Sequence, residues 1–310
     1  MNMKKKKILM IHHSGLIGGA GVSFYNLWAE LKNEYIVTAY IANKPFDYIS
    51  FLKEKGLEPK EVPFRMGKLT YYSGGNKLTN PKFWYHALNS VFQIKYWRRI
   101  ISAEKPDLII VNSKVLCWMG LIFKSLNIKS ICFVRETIPG DTNSIMNKLM
   151  KKMLERFDLV AFISRFDLKQ TNLIGSKTIV FKNSLDINEY KGAIEKREAC
   201  SILNISSKKF NVLFVGGIDM LKGIDVAVEA MRILDDKDIN LLVAGKDFGY
   251  VDKKNSMSKI TALKKRKAIR FSKNMKNIIK NENLEGNIKF LGVQKDMSLL
   301  YSACDILIFP

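Results

Sequence analysis

The chain reads as an α/β protein made of two Rossmann-like, doubly wound parallel-sheet domains, and three observations lead there. Two segments about 200 residues apart follow one plan: an apolar run, a glycine-rich bend, then an amphipathic stretch. ILMIHHSGLIGGAG fills residues 8–21 and leads into 22–31; VLFVGG fills 212–217 and continues through MLKGID at 220–225 into 226–234. Strand and helix patterns also alternate along the chain with short connections, which implies a parallel sheet covered on both faces. Finally, 310 residues are enough for two domains of ordinary size, each with its own core.

Taken in order, the first element is a strand at 7–12, whose apolar run is stopped by His12-His13. A helix follows at 19–31, entered through glycines, then a strand at 35–41 and a helix at 46–55. After Val62-Pro63 the stretch 65–80 is polar and contains glycine, which marks a loop: a surface excursion, or a loop facing an acceptor. The periodicity predicts one long helix over 81–104, a strand at 108–112, a helix at 116–126 and a strand at 129–134. Segments 141–156, 159–163, 165–173 and 178–181 continue the alternation.

Between 183 and 209 the pattern loosens and becomes charged, so the domain boundary belongs there, with domains at 1–185 and 186–310. The second half then runs strand 211–215, helix 224–234, strand 240–244, a basic helix near 261–281, strand 288–291, helix 297–302 and strand 306–309. A doubly wound domain ends poorly on a buried strand, since one face would lack covering helices, so the second domain is expected to be incomplete at its carboxyl end.

Composition narrows the function. The positive amino end resembles the start of a signal peptide, but its apolar run is too short for one. No stretch approaches the roughly 18 to 20 apolar residues of a membrane span. Cys117, Cys132, Cys200 and Cys304 show no CxxC spacing, and the chain has only three histidines, so neither a zinc site nor a disulfide framework is expected. The formal charge is +22, and residues 258–280 hold nine Lys or Arg and no acid. That stretch is either a solvated helical face or a patch for an anionic lipid surface; nucleic acid is disfavoured because no aromatic residues interleave with the charges.

Ligands of doubly wound sheets bind beyond the carboxyl ends of strands. That rule singles out 12–21, Arg135-Glu136 and 216–223. Helix starts there present backbone N–H groups and a positive dipole end, which suit phosphate. Gly19-Ala-Gly21 lacks the third glycine of a dinucleotide fingerprint and no GxxxxGK[ST] occurs, so a dehydrogenase or P-loop enzyme is disfavoured. Lys222 either reaches a phosphate at the following helix end or is a solvated loop lysine. Arg135-Glu136 either faces a ligand or forms an ion pair at a strand end. His12-His13 either touches a ligand or serves the strand structurally.

Together these pieces resemble the retaining family 4 glycosyltransferases of the GT-B fold. The resemblance rests on GGAG (18–21), VRE (134–136), AFIS (161–164), FKNSLD (181–186), FVGG (214–217), KGID (222–225), LVAG (242–245), IKFLG (288–292) and YSACDILIFP (301–310), in that order. It implies two Rossmann-like domains facing across a cleft, a nucleotide-sugar donor held mainly by the second, and an acceptor held mainly by the first. The acceptor would be a saccharide or a lipid-linked one, in cell-surface polysaccharide assembly. Transfer would proceed with retention and with no cofactor or metal, in the cytoplasm or peripherally at the inner face of an anionic membrane.

Carried onto this sequence, the resemblance makes Glu136, Arg135 and Lys222 catalytic. It makes Gly18, Gly19, Gly216, Gly217, Lys222, Gly223 and Asn183 donor-binding. Lys222 would neutralise the leaving diphosphate, the Gly19 backbone would approach the donor, and Glu136 would sit near the reacting sugar or acceptor hydroxyl with Arg135 beside it. Three departures stand out. The family often has Arg where Gly217 stands and His where Arg135 stands, and the chain stops before the expected Glu-x7-Glu segment. If these residues were the whole polypeptide, donor binding would be weak, activity poor and stability low. The alternatives are a non-catalytic binding subunit or truncated inactive copy, and a GT-B nucleotide-sugar epimerase.

Overall fold

A computed structural model describes residues 5–43, 47–73, 75, 77–137, 144–171, 173, 177–184, 192, 194–247, 259–294 and 296–310, only the backbone being described at 259–265. The chain divides into two compact units, Met1–Leu185 and Asp186–Pro310.

The first unit runs β1 (Lys7–His12), α1 (Gly19–Leu31), β2 (Ile36–Ala42), α2 (Asp47–Glu54), β3 (Lys60–Val62), α3 (Pro81–Phe92) and α4 (Ile94–Glu104). It continues with β4 (Leu108–Val111), a 3-10 helix at Lys114–Met119, α5 (Gly120–Ser125), β5 (Lys129–Val134), α6 (Ile145–Leu154), β6 (Leu159–Phe162), α7 (Arg165–Thr171) and β7 (Lys177–Val180). Its seven strands lie in the order β3-β2-β1-β4-β5-β6-β7, every pair parallel. Successive residues of a strand point to opposite faces. Leu9 and Ile11 therefore join one core with Phe83, Trp97 and Phe123, while Ile8 and Met10 join another with Phe24, Trp28 and Tyr48. Burial on both faces explains why β1 and β4 read as unbroken apolar runs rather than alternating ones.

The second unit runs α8 (Lys196–Ile202), β8 (Phe210–Val215), a 3-10 turn at Met220–Lys222, α9 (Ile224–Leu234), β9 (Ile239–Ala244), α10 (Lys259–Asn281), β10 (Ile288–Gly292), α11 (Met297–Ala303) and β11 (Ile306–Ile308). Its four strands lie in the order β10-β9-β8-β11, again all parallel. Both units are thus doubly wound α/β sheets, the predicted class. Buried Asn211 ties β8 to its surroundings: its amide donates to Ala303 O at 3.0 Å and Ser206 O at 3.1 Å. Asp305 receives both the Asn211 backbone N–H and Lys196 Nζ at 2.7 Å, fastening α8 to the edge of the sheet. All four cysteines are free thiols, three of them buried.

Several elements depart from expectation for local reasons. The helix predicted over 81–104 breaks at Gln93, whose buried side chain accepts from Gly67 N at 2.9 Å and donates to Arg65 O at 2.7 Å. Within the stretch 65–80, expected as a surface or acceptor-facing loop, Met66, Leu69 and Thr70 are buried and Trp118 Nε1 donates to Gly67 O at 3.2 Å, while Arg65, Ser73, Lys77 and Thr79 are exposed. The segment 116–126 is a 3-10 helix running into a short α-helix. Strand β3 and helix α8 were not anticipated, the first because it has three residues and the second because it sits in the charged linker. The predicted start of the helix at 141–143 lies outside the described residues. The basic stretch forms α10, which buries Met275 and Ile279 and exposes Arg266, Lys267, Arg270 and Lys273, an amphipathic helix with a solvated charged face.

Candidate functional site

In the first unit the strand order reverses at β1, which lies between β2 and β4. The crevice beyond the carboxyl ends of such strands is where doubly wound sheets hold ligands. His12 closes β1, Asn112-Ser113-Lys114 follows β4, and Arg135-Glu136 follows β5. One network joins His12, Asn112 and Arg135. Asn112 Nδ2 lies 3.0 Å from His12 Nδ1 and donates to Ala20 O at 2.8 Å. Arg135 donates through Nε to Asn112 Oδ1 at 2.8 Å and through Nη1 to Asn183 Oδ1 at 2.5 Å, and its guanidinium lies over the Phe133 ring.

Glu136 is held separately. Ser113 Oγ donates to its Oε1, and the Lys114 backbone N–H donates to its Oε2 at 3.2 Å. No ion pair links Arg135 to Glu136 among the described residues; Arg135 is bonded to the amides of Asn112 and Asn183, and Glu136 to the Ser113 hydroxyl and the Lys114 backbone N–H. Burial pushes the Glu136 carboxyl above the usual carboxylate range, opposed by the Ser113 hydroxyl and Lys114. Burial also pulls Arg135 down to about 10, still charged at neutral pH. The cluster therefore offers a fixed cation, a carboxyl held by two donors, and the amide of Asn183.

His12 plays the structural part of the histidine pair. It is buried among Phe24 and Tyr48, at 5.4 and 5.3 Å between ring centroids, and its pKa falls to about 3 through burial first and then through Arg135 and Lys68. A neutral ring lets Nδ1 accept from Asn112. Unfolded, the same histidine takes up a proton near 6.5. Between about 6.5 and about 3 the unfolded chain binds the extra proton, so the stabilisation is present above 6.5 and is lost as pH falls through that window. The loss is up to about 1.4 kcal/mol per pH unit for this one group. Urea titrations at pH 7 and pH 5 are expected to show it, with a shallower dependence in His12→Gln; equal slopes in both proteins would contradict the assignment.

Gly18 and Gly19 begin α1. Gly18 is extended, with φ −165° and ψ 173°, and a Cβ built at either residue would meet nothing within 4 Å. Packing does not demand glycine at these two positions. It does so at Gly21, where a Cβ would lie 2.9 Å from the Tyr48 ring, and Tyr48 OH donates to Gly21 O at 2.6 Å.

In the second unit Gly216, Gly217, Lys222 and Gly223 come together where β8 gives way to α9. Gly216 N and Gly217 N both donate to Ala244 O, at 2.9 and 3.0 Å. Gly217 has φ +64°, and a Cβ there would lie 2.1 Å from Lys246 O. With this backbone no side chain fits at 217, arginine included. Asp219 caps the 3-10 turn, accepting from Leu221 N at 3.0 Å, and so sets where Lys222 leaves the chain. The Lys222 stem lies against Gly216, while the residue as a whole is exposed. Gly223, at φ +74°, caps α9 and lies close to Pro310 just after β11.

The structure thus gathers Arg135, Glu136 and Asn183 in one cluster and Gly216, Gly217, Lys222 and Gly223 in another, with Gly18 and Gly19 at the open start of α1. Asn112, Ser113 and Lys114 were missed. Asn112-Ser113-Lys114 carried the same signal as Arg135-Glu136, polar residues directly after an apolar strand. Among the described residues no group of three or more His, Cys, Asp or Glu could hold a metal ion, and no helix is long and apolar enough to cross a membrane.

Residues 195–310 match the family described as Glycosyl transferases group 1. A relative from Staphylococcus aureus (strain MRSA252), the UDP-N-acetylglucosamine--N-acetylmuramyl-(pentapeptide) pyrophosphoryl-undecaprenol N-acetylglucosamine transferase, is 26% identical over 213 residues, 67% of this chain and 57% of that protein. Its counterpart from Listeria welshimeri is 24% identical, over 66% of this chain and 54% of that protein. The chain therefore spans somewhat over half the length of these relatives. Among solved structures, Anabaena HepE in complex with UDP and glucose superposes with TM-score 0.71 at 16% identity, covering 98% of this chain and 74% of that one. Sucrose-phosphate synthase from Thermosynechococcus elongatus gives TM-score 0.69 at 15% identity, covering 99% and 75%. The fold is the one these GT-B-type proteins share.

Proposed function

We propose that the chain transfers a sugar from a nucleotide-sugar donor to a saccharide or lipid-linked acceptor, with retention, in assembly of a cell-surface glycan at the inner face of the membrane. The observation that carries this reading is that the part matching Glycosyl transferases group 1, residues 195–310, contains the tight turn with Gly216, Gly217, Lys222 and Gly223. The similarity to relatives named for UDP-N-acetylglucosamine, and to a structure described with UDP and glucose, supports a nucleotide-sugar donor.

As the glycosidic bond breaks, negative charge builds on the departing diphosphate, and stabilising that charge is the main chemical demand. Lys222 supplies a cation at the start of α9, where the helix dipole adds to it. A charge-assisted hydrogen bond of this kind contributes about 1.5 to 3 kcal/mol. In this reading Lys222 and backbone N–H groups neutralise the leaving group, and no metal is assigned that role. Arg135, Glu136 and Asn183 present a fixed cation, a carboxyl and an amide to the sugar and acceptor hydroxyls.

Incubating the 310-residue chain with a panel of radiolabelled nucleotide sugars and a membrane-lipid or saccharide acceptor fraction tests the reading. Transfer of label from one donor, with the donor's anomeric configuration kept in the product, is expected. Neither nucleotide binding nor turnover with any donor would sink it. Binding without turnover would point to a binding subunit, and a changed donor sugar without acceptor to an epimerase.

A further inference from the structure

The break between α3 and α4 carries a cavity. Gln93 stands at the break, and its buried side chain turns inward to bind Gly67 N at 2.9 Å and Arg65 O at 2.7 Å, which ties the segment after β3 beside the two helices. The cavity there has a volume of about 350 Å³, within the roughly 300–1,000 Å³ of small-molecule sites. Phe64, Tyr85, Phe92 and Tyr96 give it aromatic walls, and Arg65, Asn89 and Gln93 give it polar ones. Phe64 and Tyr96 hold each other edge to face with 4.7 Å between centroids, while Tyr85 and Phe92 are exposed.

Most polar groups of this cavity are unspent. Among the described residues no hydrogen bond or ion pair engages the Tyr85 hydroxyl, the Tyr96 hydroxyl, the Asn89 amide or the Arg65 guanidinium. The Gln93 amide alone is committed, and to backbone. A purely apolar ligand would cover these donors and acceptors without pairing them, which weakens binding. Another cavity, of about 480 Å³ at the amino ends of β1, β4 and β5, lacks the pattern: Asp107 there accepts from Lys7 N at 2.7 Å, and Lys129 pairs with Asp158 at 3.2 Å.

We infer that the cavity at the α3–α4 break binds a saccharide chain. A sugar ring has two kinds of surface, and the cavity matches each. Its C–H faces are weakly positive and pack on the negative faces of aromatic rings. Its hydroxyls both donate and accept, as do Tyr85, Tyr96 and Asn89. Among the described residues Arg65 is the one charged group of the lining, and its planar fork of donors suits paired hydroxyls or the carboxylate of a uronic acid. Mostly apolar walls with a few convergent polar groups are the ordinary makeup of a ligand site.

Position gives the cavity a role. Phe64 and Arg65 follow β3, at the same carboxyl edge of the sheet as Arg135 and Glu136, which follow β5. Four strand steps separate them in the order β3-β2-β1-β4-β5, roughly 19 Å at about 4.8 Å per step. That gap is several sugar residues long. A chain anchored in the cavity therefore reaches the strand-end cluster with a sugar farther along it, and the cavity favours acceptors that are already elongated. The acceptor role rests on the proposed transfer reaction; saccharide binding does not, because it needs no donor.

The full chain, fluorescently labelled, is applied without any donor to an array of immobilised neutral and uronic-acid-containing oligosaccharides of increasing length. Retention by one group of chains is expected, and calorimetric titration with a free oligosaccharide of that group gives the affinity. Tyr85→Ala and Asn89→Ala are each expected to weaken it about tenfold. Phe166→Ser, which removes an exposed ring on α7, is expected to leave it unchanged. Thermal melts confirm that these substitutions leave the fold intact. In the transfer reaction Tyr85→Ala should raise KM for long acceptors about tenfold, with kcat and the KM of short acceptors unchanged. Binding to no chain of the array, or an equal loss of binding in Phe166→Ser, overturns the inference.

Discussion

Lys222→Ala is expected to lower sugar transfer by about 10²- to 10³-fold, the size of effect seen when one donor to developing negative charge is removed from a reaction centre. Its thermal stability is expected to stay within about 0.5 kcal/mol of the parent, because Lys222 is exposed and its truncation opens no cavity. Most of the loss should fall in kcat, since charge on the diphosphate grows as the bond breaks. Steady-state kinetics with the donor that proves active, beside a thermal melt, make the measurement. Full activity in Lys222→Ala would remove the lysine from the mechanism and return it to the class of solvated loop cations.

Gly217→Ala is expected to cost the second unit about 3 kcal/mol. An L-residue held at φ +64° costs roughly 1 to 2 kcal/mol. The added Cβ also lies 2.1 Å from Lys246 O, so the backbone after β8 or β9 must shift, and overpacking of that kind costs about 1 to 3 kcal/mol more. The melting temperature should drop by about 10 °C, with nucleotide binding weakened because the turn that carries Lys222 moves. Gly19→Ala is the informative control: its Cβ meets nothing within 4 Å, and alanine favours the helix, so stability should be unchanged or slightly raised. A loss of activity there would report a ligand rather than the fold. Differential scanning calorimetry of both variants separates these outcomes, and an unchanged melting temperature in Gly217→Ala would refute the steric argument.

The sheets were legible because parallel strands buried on both faces leave long apolar runs, and β1, β4, β5, β8 and β9 all have them. The strand-end rule then led to Arg135, Glu136, Gly216 and Lys222 without any knowledge of tertiary contacts. What sequence could not carry was decided by side chains reaching distant backbone. Gln93 looks like an ordinary helical residue, yet its amide binds Arg65 and Gly67 and breaks a helix that periodicity joins. Asn112 looks like the polar end of a strand, and only the folded sheet shows it between His12, Ala20 and Arg135. Glycine was ambiguous in the same way. Gly18 and Gly217 read alike, but one stands in open space and the other is pressed against a neighbouring carbonyl.

The three histidines of the chain, His12, His13 and His86, all belong to the first unit, and burial holds each below its ordinary pKa. Mild acid therefore loads the proton-uptake penalty of the histidines on one half of the polypeptide. Below about pH 6.5 that half is expected to lose stability to histidine protonation. Limited proteolysis near pH 5 would begin in the unit that holds β1 and leave the unit that holds Lys222 standing.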